Sequence, residues 1–329
     1  MYDEYLVTLL NLPRISRKTV NEILKIGDEA SLDYDSIQKT LVKYNYINKR
    51  TPVPNLDEIQ TANIKAKNIL KKSIENGISN INVFEKDFPD KLKIIDDPPV
   101  ILFYKGNRNC ITDELSVAII GTRNPTSQGF EIAEKLGYIF AEEKITVVSG
   151  LAKGCDEFAH KGCVNAKGKG IAVMAGGLDN IYPAANKNLA KSLLENNGCL
   201  VSEYFIGVKP FKPYFVERDR LQSALSKAVI VVETGIIGGT MHTVGFALKQ
   251  KRKLFCYKHE YKYHFEDQVQ GNLKLINENK AVGIYSKKDI NMLINIISHD
   301  SRVDENEQIV NNLNQEMNDE RNIQLSIFD

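Results

Sequence analysis

Three short glycine-bearing stretches could do chemistry: Gly121-Thr122-Arg123-Asn124-Pro125, Ser149-Gly150-Leu151-Ala152-Lys153-Gly154-Cys155-Asp156, and Glu233-Thr234-Gly235-Ile236-Ile237-Gly238-Gly239-Thr240-Met241-His242-Thr243. Each follows an apolar run and precedes a segment of helical length. Glycine lets the backbone turn sharply there and come close to a ligand. The helix that follows directs its free N–H groups outward, which favours an anion. Arg123 adds a forked cation suited to a pair of phosphate oxygens, and Lys153 sets a point charge between Gly150 and Gly154. None of the three has the G-x-G-x-x-G spacing of dinucleotide enzymes, and none carries a P-loop lysine.

A fourth stretch, Pro210 to Arg220, interleaves Phe211, Tyr214 and Phe215 with Lys209, Lys212, Arg218 and Arg220. Rings that stack on bases beside cations that neutralise phosphates suit a single nucleic-acid strand. The other reading is core aromatics flanked by basic residues whose stems lie along the surface. Asp156 and His160 stand four apart on one helix, spaced for an acid–base pair or for two structural roles. No ligand spacing implies a metal or cofactor, so the chemistry expected is binding.

These stretches need a scaffold. Apolar, β-rich runs at Val117–Ile120, Thr146–Ser149, Ile171–Ala175, Leu200–Glu203, Val229–Glu233 and Leu254–Tyr257 alternate with helix-length segments near Phe130–Glu142, Cys155–Ala166, Asn186–Asn196, Glu217–Ser226 and Thr240–Lys249. Continuous rather than alternating apolar runs mean strands buried on both faces. The pattern predicts an α/β fold with a Rossmann-like, doubly wound, mostly parallel sheet, closed by elements near Ala281–Tyr285 and Lys288–Ile297. In such a sheet the strands present their C-terminal ends to one crevice, so the three glycine turns are expected to converge.

The predicted organisation is a small all-helical domain over 1–75, the Rossmann-like domain over 76–297, and an acidic tail over 298–329. In the first, Leu9 to Leu24 reads as helix, turn, helix, with Ser16 as N-cap and Val20, Ile23 and Leu24 on one face. This is similar to a helix-hairpin-helix, although Arg14 and Ser16 stand where that turn has glycines; a protein-interaction module is the other reading. The net charge of +1 divides into −6 for residues 298–329, with eight acidic and two basic residues, and +7 for the rest. A basic body attracts polyanions. The five cysteines form no C-x-x-C pair, no apolar run approaches a membrane span, and the start Met1-Tyr2-Asp3-Glu4 lacks a basic leader. The expected setting is cytoplasmic, with no membrane partner.

The order of motifs resembles the DNA-processing protein A (DprA/Smf) family. Phe88-Pro89, Pro98-Pro99 through Asn107, Gly121 to Pro125, Ser149 to Asp156 with Ala159-His160, Gly176-Gly177-Leu178-Asp179 with Tyr182-Pro183 and Asn186, Ser202-Glu203-Tyr204 and Arg218-Asp219-Arg220 carry it, over about residues 80–257. The resemblance implies a non-enzymatic protein that binds and protects single-stranded DNA, loads a RecA-type recombinase, forms a homodimer and serves recombination and natural transformation. It implies a DNA-phosphate pocket of Gly121, Arg123, Gly150, Lys153, Arg218 and Arg220. Thr122, Gly154, Phe215, Gly238, Gly239 and Thr240 join this pocket from the readings above.

Two departures stand out: Asp219 replaces the asparagine of the family's Arg-Asn-Arg block, and Tyr257-Lys258-His259 replaces a Pro-Gly. The alternative is a nucleotide-binding protein or nucleoside-monophosphate phosphoribohydrolase of the lysine-decarboxylase-like (LOG) type, with Glu233 as its carboxylate. Finally, Gln324-Leu325-Ser326-Ile327-Phe328-Asp329 resembles the peptide by which bacterial proteins bind the β sliding clamp, with Gln324, Leu325, Ile327 and Phe328 as contacts. The other reading is a terminal segment docking on the protein's own body.

Overall fold

The computed structural model describes residues 2–26, 33–48 and 53–298. The described residues form two compact units, one drawn from 2–105, 175–180 and 201–211, the other from 106–174, 181–200 and 212–298.

The first unit opens with four helices, α1 (Tyr2–Leu10), α2 (Arg17–Lys25), α3 (Tyr34–Asn48) and α4 (Leu56–Glu75). Leu6, Leu9, Val20, Ile23, Ile37, Leu41 and Ile59 from all four are buried. Ser16 caps α2 as expected, accepting from the Thr19 N–H at 3.2 Å. Asn55 and Glu58 close a reciprocal capping box on α4, which satisfies two amide donors that a helix start leaves open. Arg14 adopts a φ of +61°, the left-handed conformation for which a hairpin turn would use glycine. Strands β1 (Ser79–Asn82) and β2 (Ile101–Gly106), separated by the short helix α5 (Asp90–Lys93), pair antiparallel.

The second unit carries α6 (Asn109–Thr112), β3 (Ser116–Ile120), α7 (Ser127–Glu142), β4 (Thr146–Ser149), α8 (Cys155–Asn165), β5 (Gly170–Val173), α9 (Lys187–Glu195), β6 (Cys199–Ser202, its last two residues in the first unit), α10 (Lys212–Ala224), β7 (Ala228–Val231), α11 (Thr240–Lys249), β8 (Lys253–Tyr257), α12 (Gln270–Asn277), β9 (Val282–Ile284) and α13 (Lys287–Ser298). Apart from β6, its strands run in the order β5-β4-β3-β7-β8-β9, and every one of these neighbours is parallel. This is the Rossmann-like sheet that the unbroken apolar runs predict.

Val117, Ile119, Val147, Ile230, Val232 and Phe255 on one face bury Ile132, Leu136 and Phe140 of α7 and Ala159 and Cys163 of α8. Each fully buried side chain of this size contributes roughly 1.5–3 kcal/mol. Helices α7 and α8 pack almost backbone to backbone, because a Cβ on Gly137 would collide with the Ala159 carbonyl and one on Gly162 with that of Glu134. The periodicity reading omits α12, which is short and polar-flanked. It also starts α10 near Glu217, whereas the helix begins at Lys212.

Candidate functional site

Strand β3 lies between β4 and β7, so the three glycine-bearing turns follow adjacent strands. The chain builds β4 and β5 outward on one side of β3 and returns to add β7 on the other. The gap between β3 and β7 is therefore the topological switch point, where open α/β sheets hold ligands.

Hydrogen bonds tie these turns together. The Thr122 N–H donates to the Glu233 carbonyl at 2.8 Å, and the Cys155 N–H to the Thr122 carbonyl at 3.2 Å. Gly154, with φ +83°, lies so close to Thr122 and Arg123 that a Cβ would meet the Thr122 carbonyl at 2.5 Å. Gly121 is hemmed in by Cys155 in the same way. These glycines let two turns of the protein approach each other. Gly238 and Gly239, by contrast, are exposed with open space around them, immediately before Thr240 at the start of α11. Here there is room for a ligand to approach the backbone.

The predicted cations divide into two kinds. Arg123 and Lys153 are exposed at the ends of β3 and β4. The Arg123 guanidinium lies 5.3 Å from the ring centroid of Phe215, a cation–π distance, and Phe215 is half-buried on α10. Arg218 and Arg220, expected in the phosphate pocket, are only 5 % and 3 % exposed. Arg218 Nη1 donates to the Val173 carbonyl at 2.9 Å, its Nε lies 3.2 Å from Asp219, and its guanidinium covers Gly150. Arg220 Nη1 donates to the Glu217 carbonyl at 3.2 Å.

The reason is helical: Phe215, Arg218, Asp219 and Gln222 fall at i, i+3, i+4 and i+7, so one face of α10 runs from the rim into the interior. Asp219 and Asp156 are the carboxylates that face Arg218 there, and Asp156 accepts from the Gly150 N–H at 3.1 Å. Burial pushes the Asp219 carboxyl up to about 7, against the pull of Arg218. Burial holds the His160 imidazole down to about 4, so it stays neutral. Asp156 and His160 are both buried, which favours the structural reading of that pair.

Glu233 is fully buried as well. Its carboxylate accepts from the Thr126 N–H at 2.8 Å and from the Thr126 hydroxyl at 2.5 Å. Thr126 in turn caps α7 by accepting from the Gly129 N–H at 3.1 Å.

Comparison with known proteins places the chain in a family. The family described as DNA recombination-mediator protein A matches over residues 79–295. The chain belongs to that family. Within it, the DNA processing protein DprA of Bacillus subtilis is 36% identical over 234 residues, 71% of this chain and 77% of that protein. DprA of Streptococcus pneumoniae is 37% identical over 177 residues, 54% of this chain and 62% of the relative, so that match spans less than two thirds of its length. The crystal structure of S. pneumoniae DprA superposes with a TM-score of 0.64 at 26% identity, covering 85% of this chain and 98% of that one. DNA processing protein A of Helicobacter pylori, whose structure concerns a single-stranded DNA binding mode, gives 0.60 at 29% identity, over 68% and 97%.

Tyr182, which the sequence marks only within the Tyr182-Pro183 motif and not as a site residue, has its ring edge to face with Phe215 at 5.7 Å. Tyr182 lies far from Phe215 along the chain, so no local spacing signals the pair. Gln324, Leu325, Ile327 and Phe328 lie outside the described residues.

Proposed function

We propose that this protein binds single-stranded DNA at the C-terminal ends of β3, β4 and β7, as a binding protein rather than an enzyme. The observation that carries this reading is the pairing of exposed Arg123 with the half-buried ring of Phe215. It sets a phosphate-binding cation beside a base-stacking surface, the combination a single strand needs. Lys153 extends the positive rim, and the exposed turn of Gly238 and Gly239 leading into Thr240 offers a second anion cradle. Thr122, Gly121, Gly150 and Gly154 shape the turns, while Arg218 and Arg220 support α10 from within. Support also comes from the family and from the Helicobacter pylori structural neighbour.

In the same reading the protein protects bound strands, passes them to a RecA-type recombinase, and acts as a homodimer in the cytoplasm during DNA uptake and recombination. Family membership supports these further roles. The terminal residues Gln324, Leu325, Ile327 and Phe328 recruit it to the β sliding clamp, and deletion of 324–329 abolishes co-migration with purified clamp.

The nucleoside-monophosphate phosphoribohydrolase reading needs Glu233 as an accessible carboxylate, and both its oxygens are engaged by Thr126 in the interior. The deciding experiment is fluorescence anisotropy with a labelled single-stranded oligonucleotide across a salt series, on wild type and Arg123→Ala. Binding that weakens with salt and with the substitution supports the proposal. Absence of binding at low salt rejects it.

A further inference from the structure

Tyr182 is a large ring left 49 % exposed beside the proposed strand site. Four residues on, the Asn186 side-chain amide donates to the Leu151 carbonyl at 2.9 Å in the interior. That bond ties the segment carrying Tyr182 to the turn after β4, which also carries Lys153. On its other side Tyr182 meets the Phe215 ring at 5.7 Å and 60°, and Phe215 lies under Arg123. Two neighbouring rings thus lie beside exposed Arg123, and exposed Lys153 is on the turn to which the Tyr182 segment is bonded.

Rings and cations read different properties of a nucleic acid. A duplex presents phosphates as a single strand does, so Arg123 and Lys153 attract either. The bases of a duplex are stacked on one another and offer no face to a protein ring, whereas an unpaired base does. We propose that Tyr182 stacks on an unpaired base and, with Phe215, sets the preference for single strands over duplex. This inference rests on the strand-binding function proposed above and assigns its selectivity to particular side chains.

The test compares affinities for a single strand and for a blunt hairpin duplex with the same number of phosphates, at one salt concentration, using wild type, Tyr182→Phe, Tyr182→Leu and Lys153→Ala. Tyr182→Leu is expected to weaken single-strand binding about tenfold, within the range of one base–aromatic stack, and to leave duplex binding unchanged. Tyr182→Phe keeps the wild-type ratio, and Lys153→Ala weakens both substrates alike. A single abasic site walked along the strand should cost affinity at one position in wild type and nothing there in Tyr182→Leu. Equal losses on both substrates, or no loss, overturn the inference while leaving the strand-binding function intact. If wild type binds no single strand at all, that function has failed and this inference falls with it.

Discussion

Arg218 occupies the space that a side chain on Gly150 would need: a Cβ placed there would fall within its guanidinium. Nη1 is held by the Val173 carbonyl at 2.9 Å, so the arginine has little freedom to yield. Gly150→Ala is therefore expected to destabilise the fold by about 2–3 kcal/mol through overpacking. Gly238→Ala meets nothing within 4 Å and should change stability by less than about 0.5 kcal/mol, yet weaken DNA binding if a strand approaches that turn. Urea unfolding and anisotropy on the two variants separate a glycine that packs from one that faces a ligand.

The two arginines should behave oppositely. Arg123→Ala removes an exposed cation, so stability stays within about 0.5 kcal/mol. The slope of log affinity against log salt becomes shallower by about 0.7, the value for one phosphate contact on a single strand. Arg218→Ala leaves buried Asp219 and Asp156 without their guanidinium and should cost about 3 kcal/mol or more. A stable Arg218→Ala protein with a normal fold but a reduced salt slope would contradict the interior role assigned to this residue.

Asp219 gives a pH dependence of stability with a definite sign. Its folded-state value, pushed up to about 7 by burial, lies above the unfolded value of about 3.9. Between these values the folded protein holds a proton that the unfolded chain has released. The contribution of Asp219 is fully present below about pH 4 and is lost as pH rises through about 7. Asp219→Asn has no such proton. From about pH 4 to 7, wild type should lose stability relative to the variant, by up to about 1.4 kcal/mol per pH unit, and level off above. A pH-independent difference between the two unfolding free energies would count against the buried carboxyl.

Glu233→Ala removes the acceptor for both Thr126 donors at the start of α7. The expected cost is about 2 kcal/mol, the range for unsatisfied buried donors, with no base released from nucleoside monophosphates by either protein. Release of free base by wild type that disappears in the variant would restore the phosphoribohydrolase reading.

The sequence by itself determined the α/β order, the strand runs from Val117 to Tyr257, the Ser16 cap and the three glycine turns, because period, burial and turn chemistry are local properties of a chain. Tertiary structure decided which of the cations remain in water. Phe211 to Arg220 reads along the chain as alternating rings and charges. Its helical winding puts Phe215 at the rim and Arg218 and Asp219 beneath it, and the turns packed around Gly150 and Gly154 close over them. Glu233 followed the same course: a carboxylate at a strand end suggests a reacting group, and only the neighbouring strand β3, with Thr126 six residues beyond its end, shows what satisfies it. Tyr182 reached Phe215 through the fold alone, since contact between residues distant in sequence depends on how the elements pack.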